Sequence, residues 1–206
     1  MNRSLMTSLL SAGLGAALVA ALAPAAPAGD WLQFRGNDQR NVAADAALPV
    51  EWNKNHIAWK AELPGKAASG PIVAKGRVIV TSASGYRHDR LHVAAFAVND
   101  GRKLWHRQFW ATGRTQTNEF SSVAANTPAS DGERIYAFFS SNDLVCLDLD
   151  GGLIWYRGIT HDYPTAANDV GMSSSPVVVD NAVVVQVENE VNSMTIEINN
   201  QTKAKL

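Results

Sequence analysis

Asp100-Gly101-Arg102-Lys103-Leu104-Trp105 and Asp150-Gly151-Gly152-Leu153-Ile154-Trp155 are two copies of one pattern, a turn that runs into an apolar pair ending in tryptophan. Trp59 precedes them in a similar frame, so Trp59, Trp105 and Trp155 recur at intervals of 46 and 50 residues. A fixed period of this size means one supersecondary unit repeated along the chain. Such a repeat determines architecture. It names no chemistry, because repeat scaffolds carry their function in loops.

Working outward from these copies, each unit reads as short strands separated by turn residues. In the first unit Pro71-Ile72-Val73-Ala74 meets Lys75-Gly76 and then Arg77-Val78-Ile79-Val80-Thr81. A strand over 91–98 ends at Asn99-Asp100-Gly101, and a fourth follows over 102–109. Asn, Asp and Gly tolerate positive φ, so such triplets between apolar runs mark hairpins. The second unit repeats the order with turns at Asp131-Gly132, Ser141-Asn142 and Asp150-Gly151-Gly152. The third starts at Ser175-Pro176-Val177-Val178-Val179 and turns at Asp180-Asn181.

Val, Ile and Phe dominate the apolar runs and no window sustains a helical period, as strands require. Four short strands per unit of about 50 residues is the pattern of a propeller blade. The expected fold is all-β: a propeller of four-stranded antiparallel blades, present as an incomplete arc of about three blades. A β-sandwich is the structural alternative. The blades fall at roughly 66–110, 126–158 and 174–206. Residues 56–63 read as the outer strand of a closing blade, and 29–55 as an irregular lead-in that packs through Trp31 and Phe34. In register with its predecessors, Leu206 takes the place of Leu104 and Ile154, so the next residue should be tryptophan. Propellers close with about four to eight blades. The expectation is therefore an open arc with one exposed apolar blade face.

Bulk composition narrows the class. The chain has 206 residues, 46% hydrophobic and 18% charged, enough to bury a core. A formal charge of -1 gives no electrostatic footprint for nucleic acid. Residues 1–28 read as a secretory signal: Arg3, an apolar run over 5–23, and the small-x-small site Ala26-Pro27-Ala28. A periplasmic or extracellular location follows, with no membrane span after cleavage. Cys146 is the only cysteine, so no internal disulfide can form, and its apolar neighbours mark it as a small buried hydrophobe.

The residues with possible chemistry lie in the loops. Asn118-Glu119-Phe120 and Asn168-Asp169-Val170 each begin 13 residues after a tryptophan. Asn118, Glu119, Asn168 and Asp169 are the candidate ligand-binding set, since converging Asn and carboxylate oxygens suit a hard cation or a polar ligand. Turn capping by the same residues is the competing expectation. The five histidines show no zinc-type spacing and are expected at the surface around a hairpin loop. No catalytic residue and no metal ligand is assigned. Trp59, Trp105 and Trp155 are assigned to packing between blades, where a large ring buries roughly 150–250 Å².

The run Ala95-Phe96-Ala97-Val98-Asn99-Asp100-Gly101-Arg102-Lys103-Leu104-Trp105 resembles the pyrroloquinoline-quinone-type propeller repeat, A-L-D-x-x-T-G-x-x-x-W. Cys146-Leu147-Asp148-Leu149-Asp150-Gly151-Gly152-Leu153-Ile154-Trp155 matches it with a turn shorter by one residue. Ile196-Glu197 and residues 202–206 form a looser third copy, and Trp31-Leu32-Gln33-Phe34-Arg35-Gly36 is similar to the start of secreted bacterial members. The resemblance implies one of two roles. Some members are quinone-dependent dehydrogenases with adjacent cysteines and calcium ligands; others use the propeller as a scaffold without cofactor. A chain with a single cysteine cannot form the adjacent-cysteine disulfide. The expectation is thus an exported, non-catalytic scaffold presenting loops to a protein or envelope polymer. A quinone-dependent oxidoreductase holding the quinone with calcium, and a polysaccharide- or small-ligand-binding module, are the alternatives.

Overall fold

The computed structural model describes residues 29–43, 49–167, 169–188 and 194–199. The signal sequence, Asn168 and the residues around Leu206 lie outside these. Eleven strands form three separate antiparallel sheets: β1 (Ile72–Ala74), β2 (Arg77–Ser84), β3 (Arg90–Ala97) and β4 (Lys103–Trp110); β5 (Ala129–Ser130), β6 (Arg134–Phe138), β7 (Asp143–Asp148) and β8 (Leu153–Gly158); and β9 (Val177–Val179), β10 (Ala182–Val187) and β11 (Met194–Asn199). Each sheet is an up-and-down meander in chain order. The first strands lie side by side, β1 against β5 and β5 against β9. The sheets therefore radiate from a common inner edge as an arc of blades.

The repeat is visible in the register as well as in the strand order. In the first sheet Trp105 sits opposite Ala95 and Lys103 opposite Phe96, so Leu104 is an extra, bulged residue. In the second, Trp155 faces Cys146 and Leu153 faces Leu147, so Ile154 is the extra one. A bulge re-aims the side chains beyond it. Here it puts each tryptophan on the blade face that meets the next sheet.

Two cores fill the gaps between blades. Leu91, Val93 and Ala95 of β3 pack with Ile135, Ala137, Val145 and Leu147 of the second blade, all fully buried. On the opposite face of that blade Tyr136, Phe138, Leu144, Cys146 and Trp155 meet Val183, Val185, Val187, Ile196 and Ile198 of the third. Each sheet thus buries alternate residues against a different neighbour.

Of the sequence expectations, the packing of the lead-in through Phe34 is corrected. Residues 57–63 run extended but have no ladder partner among the described residues; the segment is held through Trp59, whose indole Nε1–H donates to the Val98 carbonyl at 2.8 Å. Phe34 does not anchor the lead-in, being 57% exposed. Trp31 does that by backbone pairing with Val73, and Leu32 accepts a hydrogen bond from Ser130 N at 2.8 Å. The two outer faces of the described arc differ. On the leading face Phe96, Ala94 and His92 are 4%, 3% and 3% exposed, with the 57–64 segment laid over part of it. On the trailing face the polar Gln186, Thr195 and Glu197 alternate with Val177, Val184 and Val179, the last of them 51% exposed. No helix of the described residues is long and apolar enough to cross a membrane.

Candidate functional site

The long loop after β4 leaves the sheet under tight control. Asp143 is fully buried, and its carboxylate accepts from Thr112 N at 3.0 Å, Thr112 Oγ1 at 2.5 Å and Ser141 Oγ at 2.6 Å. A buried charge needs such partners to offset its desolvation. Next to it the Tyr156 hydroxyl donates to the Trp110 carbonyl at 2.8 Å, and burial with the Asp143 charge holds that phenol far above its ordinary pKa. The hairpin loop between β2 and β3 joins the same base, because Ala111 N donates to Asp89 O at 2.9 Å.

Beyond this anchor, residues 114–118 carry no regular secondary structure and the chain then turns at Glu119 and Phe120. Asn118 N donates to Val170 O at 3.0 Å, stitching this loop to the one after β8. Arg114 pairs with Asp169 at 3.3 Å across the same junction, with both side chains exposed. Lys66 reaches up from the segment before β1, donating from Nζ to Glu119 O at 2.5 Å, while Ser122 Oγ donates to Lys66 O at 2.9 Å. The outcome is an open groove of about 360 Å³ lined by Lys66, by Arg87 and His88 of the β2–β3 loop, and by residues of the 115–121 stretch.

The candidate set divides between these features. Asn118 and Glu119 both line the groove. Asn118 Oδ1 is engaged in its own turn, accepting from Phe120 N at 2.9 Å. Asp169 is held by Arg114 on the neighbouring loop and does not line the groove. Asn168 lies outside the described residues. Among the described residues no group of three or more His, Cys, Asp or Glu is arranged to hold a metal ion. Cys146 is fully buried in the second core, with no second cysteine in the chain to join it.

A second polar cluster went unread in the sequence. His92, far from being a surface residue, is buried on the leading face of the first blade. Its Nε2 is 2.7 Å from Ser84 Oγ and its Nδ1 is 3.0 Å from His106 Nε2. Burial, then the neighbouring His106 and Arg90, lower its pKa to about 4, and burial with Lys103 lowers that of His106. The two residues belong to adjacent strands, with Ala94 opposite His106 and His92 opposite Gln108, so they meet on the diagonal. Their spacing of 14 in sequence spans a hairpin turn, which hides the pairing from any local pattern.

A family model described as "Outer membrane protein assembly factor BamB" matches residues 20–205. No curated protein matches the chain. Among solved structures, a quinohemoprotein alcohol dehydrogenase from Comamonas testosteroni superposes with a TM-score of 0.51 at 15% identity, over 68% of this chain and 20% of that one. BamB from Moraxella catarrhalis gives 0.48 at 18% identity, over 72% and 41%. A europium-containing methanol dehydrogenase gives 0.46 at 20% identity, over 66% and 23%. The chain spans between 20% and 41% of the length of these structures.

Proposed function

The chain belongs to the family of the outer membrane protein assembly factor BamB, and from that premise we propose that it is an exported, non-catalytic propeller scaffold whose loop rim holds a protein partner in the cell envelope. The observation that carries this reading is the groove at Lys66, Arg87, His88 and residues 115–121, an open polar surface built from three segments and fixed by a buried carboxylate beneath it. Open polar rims with exposed aromatics suit protein contacts, whereas small-molecule sites are concave and mostly apolar. Export is supported by the sequence of residues 1–28, and the scaffold role by the single cysteine, which cannot form the adjacent-cysteine disulfide of catalytic members.

The test is a photo-crosslinking amino acid placed at Gln116 of the full chain in its own cells. Capture of a defined envelope protein supports the reading. Dye reduction by purified protein that depends on added quinone and calcium would replace it with an oxidoreductase.

A further inference from the structure

Most polar main-chain atoms of a folded chain are paired, and an extended stretch without partners is a template for another strand. Residues 111–118 alternate in exposure, the half-buried positions being Ala111, Gly113, Thr115 and Thr117 and the exposed ones Thr112, Arg114, Gln116 and Asn118. That is the period of a strand. Yet it belongs to no sheet, and among the described residues the main-chain N–H and C=O groups of Arg114, Thr115, Gln116 and Thr117 make no hydrogen bond. Its ends are fixed, at Thr112 by Asp143 and at Asn118 by Val170 O. The stretch is thus tied at both ends without its own ladder, so much of the entropy cost of ordering it is already met by the fold.

The surroundings specify what fits. Thr115, Gln116 and Thr117 line the same groove as Lys66, Arg87 and His88. The chain neighbours of groove residues include two large exposed aromatics, Tyr86 at 99% and Phe120 at 86% exposed. Two cations, Lys66 and Arg87, against the single carboxylate of Glu119, with exposed rings next to them in the chain and unpaired backbone between, favour an extended segment carrying carboxylates and apolar side chains in alternation, its main chain pairing with the protein and its side chains reading the walls.

We propose that residues 114–117 receive an acidic, extended segment of a partner protein by strand addition. This rests on the scaffold reading and names how that site would bind.

The probe is a fluorescein-labelled peptide, acetyl-Thr-Glu-Val-Glu-Thr-Glu-Val-amide, titrated against the full chain by anisotropy. Saturable binding is expected, and each main-chain hydrogen bond removed should cost up to about tenfold in affinity. A peptide N-methylated at alternate residues should lose at least that much, and the version with Lys for Glu should not bind. Gln116→Pro removes a main-chain donor from the protein side and should weaken binding by about the same factor. Arg87→Glu should weaken the acidic peptide and rescue the lysine one. Unchanged thermal melting of both variants separates these effects from misfolding. If N-methylation and Gln116→Pro leave the affinity unchanged, the groove reads charge alone and strand addition is overturned. If no peptide binds while the crosslinker at Gln116 still captures a partner, strand addition fails and the scaffold reading stands; if neither gives a signal, both fail.

Discussion

Gly101 and Gly151 explain why the repeat tolerates no side chain at that turn. Gly101 has φ +69 and Gly151 φ +82, and a Cβ on either would sit 2.5 Å or 2.7 Å from the indole of Trp59 or Trp105 respectively. Each tryptophan lies flat on the Asp-Gly turn of the following blade and donates to the carbonyl just before it, Trp59 to Val98 and Trp105 to Leu149 at 2.9 Å. Gly151→Ala therefore meets two penalties, left-handed backbone and an indole that cannot retreat, and should cost about 2–4 kcal/mol in urea unfolding. Gly132 separates the two. It has φ +87 with nothing within 4 Å, so Gly132→Ala should cost only about 1–2 kcal/mol. The turn glycines and the tryptophans were legible because a hairpin signal and a period need only local text. His92 was not, because its environment is set by a strand reached through a turn. Its lowered pKa has a definite sign. The unfolded chain takes up a proton near pH 6.5 while the folded one resists to about pH 4, so stability is complete above pH 6.5 and falls as pH drops between those values. The loss should be on the order of 1–3 kcal/mol. Urea unfolding across that range checks it, and His92→Gln should flatten the slope.

At the level of elements, the arrangement follows from which strand ends are tied and which are left free. Strand order, the hairpins and the bulges at Leu104 and Ile154 follow from alternation and turn residues. The loop conformations do not, because they are decided by Asp143 acting across 31 residues on Thr112. The triplets beginning at Asn118 and Asn168 have equal offsets from their tryptophans, yet the loops take different partners: Asn118 caps its own turn, and Asp169 pairs with Arg114. Asp143→Ala should lower stability by about 2–4 kcal/mol, since it strips a buried carboxylate from three donors. It should also free the 112–118 stretch, visible as faster exchange of the Asn118 amide, which donates to Val170 O, than in the unaltered protein. The turn at Asp131 is a smaller version. Its carboxylate accepts from Glu133 N, Arg134 N and the Tyr136 hydroxyl, and these donors with Arg134 outweigh burial to keep its pKa low. Tyr136→Phe should cost about 1 kcal/mol in the same unfolding assay and lift the Asp131 pKa.

For the molecule as a whole, the inner edge is where blades recognise their neighbours by a shared chemistry. Each first strand is preceded by a residue and then proline: Gly70-Pro71, Thr127-Pro128 and Ser175-Pro176. Gly70 N donates to Thr127 Oγ1 at 3.0 Å, and Thr127 N donates to Ser175 Oγ at 3.0 Å. One side chain in each blade therefore caps the amide of the blade before it. Thr127→Val keeps the shape but removes the acceptor, so it should cost about 1–2 kcal/mol and loosen the first blade from the second. The pattern was present in the sequence as an X-Pro repeat, but only the side-by-side packing of β1, β5 and β9 gives it meaning.

That chain of hydroxyls runs one way, and Gly70 cannot extend it. A glycine can give its own amide to the blade ahead but has no side-chain hydroxyl to offer a blade behind. The seams between the described blades consequently have a direction, each hydroxyl serving only the blade before it. Two copies fused head to tail would meet at an amide without its cap, and a serine at position 70 in the trailing copy is the substitution that would let the seam read like every other junction.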